Sequence, residues 1–112
     1  MIDVNLVLKD ELKELPYTSA FYYPPEAAKL PCISYYGLHD EETFSNDNAG
    51  SFQESHVSVD IWSKTPAECG RIAIEVTDLL SSKGWVRENM RDIAPEGGIY
   101  HKNLRFTRTF IY

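Results

Sequence analysis

The stretch from Thr65 to Gly84 constrains this chain most, because it carries a start signal, an apolar stripe and a stop signal in the order one helix needs them. Thr65 stands at the cap, Pro66 at the first helical position and Glu68 three residues after the cap. The threonine oxygen and the glutamate carboxylate are thereby placed to satisfy backbone N–H groups that the first turn leaves free. Cys69, Ile72, Ala73, Val76, Leu79 and Leu80 line one face, and Gly84 follows at a position suited to positive φ. A helix with one apolar stripe has to bury it against another layer. On both sides of the helix the period changes to that of strands. Phe52 to Trp62 alternates, with Val57, Val59 and Ile61 pointing one way and His56, Ser58, Asp60 and Trp62 the other. Ile99 to Tyr112 is a long strand with Tyr100, Leu104, Phe106, Phe110 and Tyr112 on one parity.

The remaining segments fit around that frame. Val4, Leu8, Leu12 and Leu15, widened by Leu6 and Val7, predict an amphipathic helix from Asp3 to Leu15, with Asp3 as N-cap and Pro16 as stop. Tyr17 to Tyr23 reads as extended, closed by Pro24 and Pro25, and Cys32 to Leu38 reads as a short strand. His39 to Ser51 is acidic, polar and poor in aliphatic residues, the pattern of a loop. Trp85 to Met90 is a strand, and Ala94 to Gly98, with Pro95 and Gly97-Gly98, is the turn of an antiparallel hairpin with the last strand. The order is helix, two or three strands, helix, two strands. The expected fold is α+β: a mainly antiparallel sheet of about four to five strands with two helices packed on one face, in a single domain spanning residues 1–112.

Composition narrows the function classes. Apolar residues make up 43% of the 112, too many for disorder, and the length suits one core. A net charge of −6 argues against general binding to nucleic-acid backbone, which needs a concentrated basic surface. Lys102, Arg105 and Arg108 form a locally basic stretch, expected on a strand to be solvated or subunit-facing. No apolar run approaches the roughly 18–20 residues that cross a bilayer. Asp3, Lys9, Asp10, Glu11, Lys13 and Glu14 interrupt the stretch where a signal peptide would be apolar, so the chain is expected to stay in the compartment where it is made, without a membrane partner. Cys32 and Cys69 lack CxxC spacing and are expected as reduced thiols, with a disulfide as the lesser alternative.

No motif for chemistry stands out. His39, Asp40, Glu41 and Glu42 run together, but no HxxxH, HxH or HExxH spacing accompanies them, and solvated loop residues are the expectation. Cys69 lies on an apolar helix face, where a thiol is usually inert. Adjacent carboxylates do not converge on one substrate, and Gly97-Gly98 precedes a strand instead of opening a helix around a phosphate. The expectation is therefore no enzyme, no cofactor and no metal. What remains is surface. Trp62, Tyr35 or Tyr36, and part of the aromatic final strand fall on sheet faces, either as core or as a protein-binding face. The candidate interface set is Tyr35, Tyr36, Asp40, Glu41, Glu42, Trp62, Lys102, Arg105 and Arg108.

Several phrases carry a resemblance: Asp60-Ile61-Trp62-Ser63-Lys64 ending a strand, then a helix face of Ile72, Ala73, Val76, Leu79 and Leu80. Gly84, Trp85 and Arg87 follow, with Tyr100 to Phe106 closing and Pro31 to Tyr36 earlier in the chain. Together they resemble the tail completion, or tail-to-head joining, proteins of long-tailed bacteriophages and prophages. The resemblance implies a structural subunit that forms a ring, usually six-fold, at the head-proximal end of the tail tube. Its partners would be its own copies, the tail tube protein and the head-tail connector, with DNA passing through the lumen and no sequence-specific contact. The location it implies is the virion's head-tail junction. The chain is shorter than the larger tail terminators, which leaves terminating and joining roles both open. The acidic 39–51 segment is either ordered on assembly or simply a solvated hairpin loop. A different class also fits: a small bacterial adaptor or ligand-binding domain, dimeric through an exposed sheet face, with Thr107–Tyr112 pairing edge to edge.

Overall fold

The apolar stripe of the Thr65–Gly84 segment finds its partner layer in a five-stranded sheet. The computed structural model describes residues 1–22, 29–44 and 50–112. In chain order they form α1 (Val4–Leu12), β1 (Thr18–Phe21), β2 (Cys32–Phe44), β3 (Ser51–Ser63), α2 (Pro66–Ser82), β4 (Val86–Glu96) and β5 (Ile99–Ile111). The strands lie in the order β1-β2-β3-β5-β4, antiparallel throughout except for the parallel β1–β2 pair. Both helices pack on the same face, giving the α+β architecture expected from the sequence.

α2 starts and stops where its residues dictate. Thr65 Oγ1 accepts the Glu68 N–H at 3.1 Å. The Glu68 carboxylate does not return directly to the Thr65 N–H as the motif predicts. Ser63 Oγ stands between them, accepting that N–H at 3.1 Å and lying 2.9 Å from Glu68 Oε1. At the other end Gly84 takes φ +100°, Trp85 N–H donates to the Leu80 carbonyl at 3.0 Å and Gly84 N–H to that of Ser81 at 3.1 Å. This paired closure satisfies carbonyls that the last turn orphans. α1 is capped by Asp3, which accepts the Asn5 N–H at 3.0 Å, but it ends at Leu12, earlier than expected. Pro16 disfavours helical geometry at Leu15, and the last turn tightens through bonds from Glu14 to Glu11 and from Leu15 to Leu12, each 3.2 Å. Leu6 is exposed and takes no part in the stripe.

The core lies between these helices and one face of the sheet. Leu8, Leu12, Ile72, Val76 and Leu80 pack with Ile33, Val57, Val59, Ile61, Leu104 and Phe106. Burying each such side chain stabilises the fold by about 1.5–3 kcal/mol. The expected parities of β3 and β5 hold, with Leu104, Phe106 and Phe110 buried. Tyr112 falls beyond the helices and is exposed.

Two strands run further than the sequence suggests. Residues 39–44, expected as loop, continue β2 and pair with β3 up to Phe44↔Ser51. Alternation there sets polar residues on both faces, so no apolar period marks a strand, while the cross-strand backbone bonds are indifferent to side-chain polarity. Residues 45–49, the middle of the expected loop, lie outside the described residues, as do Pro24 and Pro25. β4 likewise runs on to Glu96 through Pro95, with a register irregularity between Ile93 and Glu96; on an edge strand a proline removes no ladder bond. The turn is Gly97-Gly98 alone, both at positive φ, as a two-residue hairpin loop requires. The molecule is drawn out to 55 × 21 × 21 Å, with an arm made of the far halves of β2 and β3 and the end of β5.

Candidate interaction face

Among the described residues, helices cover one face of the sheet and leave the other open. Register divides the candidate interface residues between the two. Ile33, Tyr35 and Gly37 of β2 pair with Ile61, Val59 and Val57, so Tyr35 belongs to the core side and is only 4% exposed. Burial raises its phenol pKa, helped by the negative charge of Asp10. Tyr36 is thus the tyrosine on the open face, half-buried with its ring 5.2 Å from that of Tyr22. Trp62 and Arg105 share this face, on rows where Trp62 pairs with His101 and Arg105 with Ser58.

The basic stretch is divided too. Lys102 and Arg108 share the parity of Leu104 and Phe106 and lie on the helix side, each already paired. Lys102 Nζ sits 2.6 Å from Asp92, and Arg108 sits 3.1 Å from Glu11 while lying 4.4 Å over the Phe110 ring. Glu11 also accepts the Trp85 indole N–H at 2.8 Å, so one carboxylate ties α1 to both strands of the β4–β5 hairpin region. Asp40 is turned inward as well. It accepts bonds from Ser55 Oγ at 2.5 Å and Gln53 Nε2 at 3.3 Å. Gln53, fully buried, exchanges two bonds of 2.9 Å with the backbone of Ile2 and so pins the entry to α1 against the arm. Asn5 completes this anchor by accepting the Gly37 N–H at 2.9 Å, beside the β2 bulge between Gly37 and His39. Glu41 lies 3.9 Å from His39 on the arm.

The open face holds features that the sequence reading did not single out. Asp60, 8% exposed although no helix covers it, accepts from the His101 ring at 2.6 Å and from Asn103 Nδ2 at 2.9 Å; Asn103 also donates to Ser58 at 2.7 Å. Trp62 stacks on His101 with centroids 3.7 Å apart and donates its indole N–H to Ser34 at 3.0 Å. Trp62, Asp60, Ser58, His101 and Asn103 share one face by parity, but only the register brings them together. This network locks the indole and imidazole in place beside a pocket of about 370 Å³ lined by Leu30, Trp62, Ile93, Ala94, Glu96, Ile99 and His101. Further along the face His39 and His56 stack at 4.2 Å, with Glu88 2.8 Å from the His56 ring. At the far end of the arm Phe52 and Ile111 are exposed on this face, while Phe44, opposite Ser51, is exposed on the other.

Among the described residues no group of three or more His, Cys, Asp or Glu side chains is arranged to hold a metal ion. No helix formed by them is long and apolar enough to cross a membrane. Cys32 and Cys69 are free and buried, and burial, with the neighbouring Cys69, pushes the Cys32 thiol up to about 12.

No family model matches the chain, and no curated protein matches it. Among solved structures, it is similar to a chain in the virion of a native gene transfer agent particle. The match has a TM-score of 0.67 at 12% identity and covers 94% of this chain and 92% of that one. At that identity the likeness is one of fold.

Proposed function

We propose that this chain is a structural subunit of a phage-like virion, joining copies of itself into a ring at the head-tail junction. One side of the ring meets the end of the tail tube, and the other meets the connector of the head. The role is assembly, without catalysis or a cofactor. The observation that carries this reading is the fold shared along nearly the whole chain with a chain of a gene transfer agent virion. The sequence phrases that resemble tail completion proteins support it independently. Two of them, around Asp60-Ile61-Trp62 and Tyr100-His101-Lys102, are cross-strand partners, with Trp62 opposite His101 and Ile61 opposite Lys102. A net charge of −6 suits a lumen through which DNA slides without being held. Purified protein mixed with isolated tail tubes and imaged by negative stain tests the role. Density capping one end of the tubes is the expected result. A dimer of constant mass that ignores tubes contradicts it and favours the adaptor class.

A further inference from the structure

Charges left without a partner divide between two faces of the molecule. Among the described residues four lysines or arginines are half-buried, and three of them rest on a carboxylate. Lys83 meets Glu14 and Lys102 meets Asp92, each at 2.6 Å, and Arg108 meets Glu11 at 3.1 Å. Arg105, the fourth, has no hydrogen-bond or ion-pair partner among the described residues. It stands mid-face on the open side of the sheet, in the row Tyr36–Ser58–Arg105–Asn89. The carboxylates close to it in register are engaged, Asp60 by His101 and Asn103, and Glu88 by His56. Asn103 Oδ1 and Thr107 Oγ1 flank Arg105 on the same strand and face, and both are buried without a hydrogen bond among the described residues. An exposed cation is satisfied by water, but a guanidinium withdrawn from water and left unpaired is costly. This part of the face is therefore incomplete in a single copy.

The missing acceptor has a counterpart. Among the described side-chain carboxylates only Asp78 and Glu96 lack a hydrogen-bond or ion-pair partner. Asp78 is exposed on the outer side of α2, one turn after Ile74, which is 59% exposed. α2 lies on the other side of the sheet, so Asp78 cannot reach Arg105 of its own copy. Glu96 lines the pocket beside Trp62 on the open face. Its use would set open face on open face, an isologous contact that closes as a dimer and builds no ring.

Resting on the assembly reading above, we infer that Asp78 of one copy pairs with Arg105 of the next, laying the outer side of α2 across the open sheet face. The two surfaces differ, so the contact is heterologous, and a surface stays free at each end until the chain of contacts closes as a ring. The guanidinium fork fits a carboxylate through two parallel bonds. Ile74 comes against the same face beside that pair and is withdrawn from water.

The test is charge reversal in the full chain, read by native mass spectrometry and sedimentation up to the highest soluble concentration. Asp78 is exposed and Arg105 unpaired, so Asp78→Arg and Arg105→Glu should leave the urea midpoint unchanged. Should the midpoint of Arg105→Glu fall, Arg105→Gln replaces it with the same expected loss, and its mixture with Asp78→Arg recovers dimers through the one intact contact. Wild type is expected to form closed oligomers, and each charge variant alone to lose association at least about 10-fold. An equal mixture of Asp78→Arg and Arg105→Glu is expected to recover association, because contacts between unlike copies join opposite charges. Glu96→Gln is expected to associate as wild type does. Oligomers persisting in either charge variant, a mixture that stays monomeric, loss of association in Glu96→Gln, or a monomeric wild type would overturn the inference. Charge variants that still form rings and still cap tubes would sink this contact and leave the junction role standing. Rings that depend on Asp78 and Arg105 but ignore tubes would do the reverse.

Discussion

The helix-covered body and the projecting arm share the same three strands and are held by different means. In the body, β2, β3 and β5 bury Ile33, Val59, Ile61 and Leu104 under two helices. In the arm the same strands bury polar side chains, Gln53 and Ser55, which are satisfied by Asp40 and by the backbone of Ile2. Burial of apolar area stabilises the body independently of any partner. The arm relies on hydrogen bonds, whose net contribution is small when made and whose loss is costly. Its apolar residues sit at the tip, facing outward.

The sharpest break of this contrast is in the body. Phe106→Ala removes a fully buried ring between sheet and helices and is expected to cost about 3–5 kcal/mol, read as a lower urea midpoint. Alkali attacks the same region. Because burial holds the folded Cys32 thiol near 12, above its unfolded value of 9.0, the folded state binds the extra proton between those values. Stability is therefore full below pH 9 and falls by up to about 1.4 kcal/mol per pH unit above it. Denaturation at pH 8, 9.5 and 10.5 should show that decline, and Cys32→Ala should make it shallower, leaving the part that the buried Cys69 and Tyr35 contribute.

In the arm, Gln53→Ala strands the Ile2 backbone groups and removes the amide that bonds to Asp40 and Ser55. A loss of about 1–3 kcal/mol is expected, with hydrogen exchange rising first at the arm and at the start of α1. Thr65→Ala, at the surface of the body, should cost about 1 kcal/mol in the same denaturation assay. Smallest of all for folding is Phe44→Asp, within about 0.5 kcal/mol of wild type, because the ring is exposed.

What the sequence made legible follows this division. α2 was readable end to end because Thr65, Pro66 and Gly84 act within a turn of themselves. The core parities of β3 and β5 were readable because one face is apolar and the other is not. Lys102 and Arg108 share that core parity with Leu104 and Phe106, a signal sufficient to place them on the helix side. Tyr35 and Tyr36 could not be told apart because the two aliphatic residues of their strand, Ile33 and Leu38, have opposite parity. The β2 part of the arm, residues 39–44, was invisible because polar residues on both faces leave no apolar period. The Asp60–His101–Asn103 network depended on the β3–β5 register, which no local pattern sets.

Light scattering across concentration, paired with negative-stain imaging, measures assembly into a closed ring of one size most directly. Growth from monomer to a single limiting mass, seen as rings, is the expected result. A dimer whose mass is constant with concentration would contradict it.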